Sequence, residues 1–254
     1  MSTTMNYLLE INDLSYAYHS LQAETPVLDH VHFAVRPGEF VAIVGPSGCG
    51  KSTLLSLICN LLQPDEGEII LQNKKKVGYM LQKDHLLEWR TTQKNIALGP
   101  EISHQASGDL NQKIKRMLGK YGLTDFRTAK PNQLSGGMRQ RVALIRTLML
   151  EPDLLLLDEP FSALDYQTRL TVSDDVWKIL KKENKTALLI THDISEAISM
   201  ADRIIILSAR PSTVIKELTV TLTCSGSRTP FASRSAPEFK DYFNLVWKEL
   251  NHNE

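Results

Sequence analysis

Cysteine is scarce in this chain. There are three residues, Cys49, Cys59 and Cys224, and no two stand at metal-ligand spacing. An odd count without a secretion signal reads as reduced thiols in a cytosolic setting. Excess charge is also missing. Lysine plus arginine number 29 and aspartate plus glutamate number 29. The basic footprint of a nucleic-acid binder is therefore absent, and no nucleic-acid partner is expected. Long apolar runs are missing too. None approaches the ~18 residues of a membrane helix; Leu154–Leu157 is far too short and runs straight into carboxylates. Met1–Asn6 has no positive region and no apolar core, so no signal peptide is expected. Any membrane role has to come through a partner. No internal repeat is visible.

What remains is an ordinary globular composition. The 254 residues, 42% of them hydrophobic, suffice for one large domain, or a domain with a subdomain, around a sizeable core. Short β-branched segments recur at Leu8–Ile11, Val31–Val35, Phe40–Val44, Glu68–Leu71, Val77–Met80, Leu154–Leu157, Ala187–Thr191, Arg203–Leu207 and Val214–Leu218. Helical stretches separate several of them, which predicts an α/β fold. Leu154–Leu157 and Ala187–Ile190 lack polar alternation, so they are expected to be buried on both faces, as in a parallel sheet. From about residue 84 to 150 the pattern turns helical. Ile114, Met117 and Leu118 mark one helix, and Val142, Ile145 and Met149 a second. The last thirty residues begin polar and end in a helix with Phe239, Tyr242, Phe243, Val246 and Leu250 at i, i+3, i+4 steps, expected to pack on the core. The division read from this is an α/β core at 1–83 and 151–222, a helical subdomain at 84–150, and a tail and helix at 223–254.

Between the apolar runs Phe40–Val44 and Leu54–Ile58 stand Gly45, Pro46, Ser47, Gly48, Cys49, Gly50, Lys51, Ser52 and Thr53. Strand, glycine loop and helix in this order, with the spacing G-x-x-x-x-G-K-[ST], form a phosphate-binding loop. Glycines let the backbone curl around an anion, and the N–H groups and dipole of the helix start attract it. Lys51 is expected to reach the β- and γ-phosphates, and Ser52 to ligate Mg²⁺. Cys49 reads as a small residue that fits the loop rather than as a reactive thiol. Downstream, the strand Leu154–Leu157 ends in Asp158 and Glu159. In a phosphate-loop protein that strand brings Asp158 next to the Mg²⁺, and Glu159 is placed to take a proton from attacking water. Ser135-Gly136-Gly137 at the start of a helix is a second anion site in outline: a hydroxyl, free N–H groups and a helix N-terminus.

The ordered set of phosphate loop, Leu134-Ser135-Gly136-Gly137-Met138-Arg139-Gln140 and Leu157-Asp158-Glu159-Pro160 resembles the nucleotide-binding subunit of ATP-binding cassette (ABC) transporters, over about residues 8 to 250. The Leu-Ser-Gly-Gly run is its most specific part. The resemblance implies a core with a mainly parallel sheet, an antiparallel β portion near the N-terminus and a helical insert. It implies that Tyr18, or its neighbour Tyr16, stacks on adenine. It also implies that Gln82 contacts Mg²⁺ and water and links to membrane subunits, and that Ser162–Asp165 crosses a dimer interface. In the same family His192 senses the γ-phosphate, and Ser135 and Gly137 of a second copy close over it. The implied activity is hydrolysis of ATP, with Mg²⁺, at the cytoplasmic face of a membrane. The implied partners are a second copy of the chain, transmembrane permease subunits and, indirectly, a solute-binding protein.

A narrower resemblance, to the nitrate, sulfonate and taurine importers, lies in Leu86–Thr91, in Thr191-His192-Asp193 with Glu196-Ala197, and in Ala201–Arg203 with Arg210-Pro211. The chain departs from that group at Glu88, usually proline, at Ile145-Arg146-Thr147, at Ser212, usually glycine, and in an insertion at His19–Thr25 that lengthens the loop after the adenine aromatic. Leu86, Leu87 and Trp89 form an apolar group in a charged stretch. They are expected at the surface, on the floor of a groove between Gln82 and Thr91. Exporters often carry a fused membrane segment, DNA-end ATPases a long coiled coil and ribosome-acting relatives two cassettes, and the sequence contains none of these.

Overall fold

The structure is a computed structural model and describes residues 7–20, 23–72, 75–104 and 109–251. The reading of Met1–Asn6, and Leu21 and Gln22 of the insertion, lie outside these residues. Two sheets organise the chain. Strands β1 (Leu9–His19), β2 (Glu24–Val35) and β4 (Glu66–Leu71) form an antiparallel sheet in the order β2-β1-β4. The six-stranded sheet runs β5 (Val77–Met80), β6 (Leu154–Asp158), β7 (Thr186–Ile190), β3 (Phe40–Val44), β8 (Arg203–Leu207), β9 (Val214–Thr219). Its first five strands are parallel, and β9 returns antiparallel along β8.

The apolar strands dictate this arrangement. Every residue of β3, β6 and β7 is buried, and alternate side chains enter different cores. Phe40, Ala42, Leu155, Leu157, Ala187 and Leu189 face a cluster shared with the helices. Val41, Ile43, Leu154, Leu156, Leu188 and Ile190 face a second cluster, closed by helix α1 (Lys51–Ile58) and the antiparallel sheet. Helices α2 (Thr92–Ile102), α3 (Leu110–Lys120) and α4 (Gly136–Leu148) occupy the stretch that reads as helical, and their apolar stripes join the first cluster. Helix α5 (Tyr166–Lys182) covers the same sheet face, as do α6 (Ile194–Met200) and α8 (Phe239–Asn251), while the short α7 (Pro230–Ser233) packs on α5 and α6. In α8, Val246 is fully buried, and Phe239, Tyr242, Phe243 and Leu250 pack around it, as the spacing predicts.

Two expectations need correction. The insertion His19–Thr25 extends a hairpin more than it lengthens a loop. His19 pairs with Glu24 and Tyr18 with Thr25, and Ser20 closes the turn by bonding Ala23. Leu86 is not on the surface. It is 6% exposed within the helical cluster, Leu87 is half-buried, and only Trp89 stands out, at 74% exposed. Asn95 of α2 folds the segment this way. Its side chain accepts from the Leu87 N–H and donates to the Leu87 and Arg90 carbonyls.

The segment is also bolted to α4. The Arg139 guanidinium grips both oxygens of Asp84, at 2.8 and 3.1 Å, and reaches Glu88 at 2.9 Å. Arg146 donates to the Asp84 and His85 carbonyls. The unusual Glu88 thus has a partner that proline would lack.

At the other side of the core, Glu196 on α6 is 4% exposed. Its Oε2 accepts from the Thr191 hydroxyl, and Oε1 has no hydrogen-bond partner among the described residues. Burial pushes this carboxyl up to about 7 from 4.5, partly opposed by the Thr191 bond. An acid whose folded value is raised favours the fold while protonated, so its contribution is full below about 4.5 and is lost as pH rises towards 7. The Glu196→Gln variant should therefore gain melting temperature relative to the parent between pH 5 and pH 8. Thermal scans of both proteins at each pH check this; a difference that does not change with pH would show an unshifted carboxyl.

Candidate active site

Parallel strands put all their carboxyl ends on one edge of the sheet, and that edge carries the predicted residues. Gly45–Gly50 follow β3, Gln82 follows β5, Glu159 follows β6 and His192 follows β7. Since these four strands are neighbours in the order β5-β6-β7-β3, residues far apart in sequence meet.

Gly50 begins α1 at φ 115°, a conformation that glycine tolerates. A Cβ there would also come within 2.6 Å of Val27 Cγ1. The loop therefore curls beneath β2, and its helix N-terminus opens onto a cavity of about 250 Å³. Ser47, Gly48, Lys51, Ser52 and Thr53 line this cavity, as do Tyr18 and Glu159. The Lys51 ammonium bonds the Gly45 and Pro46 carbonyls at 2.8 and 2.7 Å. Cys49 is buried behind the loop, and burial raises its thiol pKa, so it is a packed residue and not an exposed thiolate. Tyr18, 46% exposed, reaches Thr53 by its hydroxyl at 3.2 Å. Tyr16 packs edge-on behind it, against the core, and does not line the cavity.

Asp158 is buried at the end of β6. The Ser52 hydroxyl donates to one of its oxygens at 3.3 Å and Tyr79 donates to the other at 3.1 Å. Burial raises the pKa of this carboxyl, and the two hydrogen bonds work against the rise. Tyr79, from β5, is a member of the site that sequence reasoning passed over; only its place three residues before Gln82 hinted at it. Burial and the facing carboxylate hold its phenol protonated.

Glu159 leaves the strand with φ 44°, left-handed and uncommon for a non-glycine residue, while its N–H bonds the Ile190 carbonyl of β7. The turn aims its carboxylate across the edge. One oxygen accepts from Gln82 Nε2 at 3.0 Å and meets His192 Nδ1 at 3.1 Å. The His192 side chain is 56% exposed, so it is not a core histidine. Arg210, beyond β8, reaches the rim of the same cavity; its Arg-Pro dipeptide was visible in the sequence but carried no assigned role.

Ser135 and Gly137 stand elsewhere. Ser135 caps α4, accepting from the Met138 N–H at 3.3 Å. A Cβ on Gly137 would meet Thr168 of α5 at 2.8 Å, so glycine lets the two helices touch. Both residues line a separate cavity of about 280 Å³ that shares no wall with the first. One chain therefore presents two cavities at helix N-termini that do not meet.

Comparison with known proteins agrees with this geometry. The family model described as ABC transporter matches residues 28–162. An uncharacterized ABC transporter ATP-binding protein of Bacillus subtilis, YtlC, is 41% identical over 252 residues, covering 97% of this chain and 96% of its own. The taurine import ATP-binding protein TauB of Roseobacter denitrificans is 34% identical, covering 94% of each. Among solved structures, the ATP-binding cassette MJ0796 in a dimeric post-hydrolysis state bound to ADP and Pi superposes with a TM-score of 0.73 at 31% identity, over 84% of this chain and 99% of that one. By motif order, by the edge on which its polar groups converge and by these relatives, the chain belongs to the ABC transporter family, as an ATP-binding subunit that hydrolyses ATP.

Proposed function

We propose that this subunit powers the import of a small anionic or zwitterionic solute, of the nitrate, sulfonate or taurine kind, and works as a dimer beneath transmembrane permease subunits fed by a solute-binding protein. The observation that carries the catalytic part is the Gln82–Glu159–His192 contact at the mouth of the phosphate-loop cavity. The solute class rests on the resemblance and on the taurine-importing relative.

In this reading Tyr18 stacks on adenine and the loop from Gly45 to Thr53 wraps the phosphates. Hydrolysis mostly needs positioning and charge neutralisation. Lys51 exchanges its carbonyl partners for phosphate oxygens. Glu159 takes the proton of the attacking water, and His192 and Gln82 hold the carboxylate and the water in line. The donors beside Lys51 fit Mg²⁺. Ser52 and Asp158 supply one hydroxyl and one carboxylate 3.3 Å apart, a sparse hard-oxygen set of the kind that leaves room for phosphate oxygens and water. Among the described residues no cluster of three His, Cys, Asp or Glu competes for a softer metal. Ser52, Asp158 and Gln82 would hold the ion, which when bound neutralises phosphate charge.

The separated Ser135–Gly137 site is completed in trans, closing over the nucleotide of a second copy. ATP then favours a closed dimer and ADP an open one, a two-state motion that residues 84–150, acting as a helical subdomain on the α/β core, pass to the permease. Trp89 is the contact offered to it: exposed Trp is enriched among residues that dominate interface energy. The working place is the cytoplasmic face of a membrane; no described helix is long and apolar enough to cross one.

Three outcomes are expected. Glu159→Gln keeps shape and removes the base, so ATP hydrolysis should fall roughly 10²–10⁴-fold while nucleotide binding and ATP-dependent dimerisation persist; near-normal turnover would remove Glu159 from this role. Lys51→Ala and Ser135→Arg should each be inactive alone, and mixing them should restore part of the activity, since one interface of the heterodimer pairs an intact loop with an intact Ser135 site. Full activity of a strictly monomeric protein would contradict this. Trp89→Ala should weaken recovery of the subunit with membranes by about 1–3 kcal/mol, with melting temperature and basal hydrolysis nearly unchanged. A large loss of melting temperature with membrane recovery intact would refute the docking role. Stimulation of the membrane-recovered complex by taurine, an alkanesulfonate or nitrate, each tested in turn, identifies the solute.

A further inference from the structure

Arg169, in the first turn of α5, joins two loops from different parts of the chain. Its Nη2 donates to the Leu164 carbonyl at 3.0 Å, and its Nη1 meets the Asp193 carboxylate at 3.3 Å. The Leu164 turn is continuous with the Glu159 backbone. Ser162 donates both its N–H and its hydroxyl to the Glu159 carbonyl, at 3.1 and 3.0 Å, and Leu164 donates to Phe161. Asp193 directly follows His192 and is held from both sides. Its N–H bonds the Thr191 hydroxyl at 3.0 Å, and its second carboxylate oxygen caps α6 by accepting from the Glu196 N–H at 3.1 Å. The guanidinium therefore bridges the backbone unit that carries Glu159 and the one that carries His192, two side chains that meet at 3.1 Å.

The bridge is an uneconomical way to hold a helix. Arg169 Nε is buried without a partner among the described residues, an unfavourable arrangement for a donor. The side chain points away from solvent towards the two loops, and the fork shape of guanidinium lets one residue serve two acceptors at once, which an ammonium on a flexible stem does poorly.

We infer that Arg169 is a positioning residue for water activation: it sets His192 against Glu159 by tying Asp193 to the Leu164 turn. This rests on the roles given to Glu159 and His192 above. It adds that their alignment is imposed from α5, through a residue that touches neither of them nor the nucleotide cavity.

The test uses the full chain and Mg-ATP turnover, with His192→Ala as reference. Arg169→Met should lower kcat about 10–100-fold, the cost of misplacing groups without removing them. KM and the affinity for a fluorescent ATP analogue should stay within about twofold, because ground-state binding is untouched. Arg169→Lys, able to keep one of the two contacts, should recover part of the rate. Asp193→Asn preserves the cap on α6 and cuts the ion pair, so it should slow turnover as Arg169→Met does. Because both substitutions sever the same tie, the double variant should be no slower than the slower single one. A wild-type kcat in Arg169→Met, or losses that add in the double variant, overturns the inference. Should Arg169→Met fail to fold, Asp193→Asn decides: normal turnover in it is equally fatal. If His192→Ala itself turns over normally, the reading of the site falls and this inference with it. If His192→Ala is slow while Arg169→Met and Asp193→Asn are fast, only the inference falls.

Discussion

Four parallel strands, β5, β6, β7 and β3, end at a common edge, and the polar groups of the candidate site hang from those ends. The register is set by burial on both faces. A slip of one residue in β6 would turn Leu155 and Leu157 from the helical side to the α1 side and carry Asp158 away from Ser52. The hydrophobic core and the polar site are thus one specification. What looks like redundant leucine and isoleucine in β3, β6, β7 and β8 is the device that fixes distances of about 3 Å between side chains from 33 to 106 residues apart in sequence.

That edge stores unfavourable features that a purely structural sheet would avoid. Glu159 sits at positive φ, which costs a non-glycine residue on the order of 1–3 kcal/mol. Asp158 is desolvated, Lys51 is buried at the loop, and Glu196, in the first turn of α6 just beyond β7, is buried. Each is offset locally, by the Ile190 carbonyl, by Ser52 and Tyr79, by the Gly45 and Pro46 carbonyls, and by Thr191. The strained backbone at Glu159 lies where the chain turns from a fully buried strand to an exposed edge, and the turn aims the carboxylate.

The parts legible in the sequence were those governed by a local rule. β3, β6 and β7 announce themselves because an uninterrupted apolar run with polar punctuation has few alternatives. The glycine loop does so because its spacing has one purpose. The length of β1 and β2 was not legible, since Ser15–Ser20 mixes aromatic and polar residues and the pairing comes from a turn closed by Ser20 and Ala23. Nor was the burial of Leu86, which depends on Asn95 reaching back to Leu87 and Arg90. Tyr79 and Arg210 escaped for the same reason: each reaches the site across the sheet, and sequence spacing carries no information about which strands are neighbours. The choice of Tyr18 over Tyr16 as the side chain facing the cavity was not legible either: two residues apart, they share one face of an ideal strand, and what separates them is their place along the irregularly paired β1, with Tyr16 packed against the core and Tyr18 at the cavity.

The fork between Arg139 and the pair Asp84 and Glu88 has a mechanical meaning. Three short charged contacts and the two carbonyls held by Arg146 leave no slack between the segment that displays Trp89 and the helix that begins at Ser135. The two are tied as one body, so a push on the Trp89 end would turn the Ser135 end with it rather than slide past it.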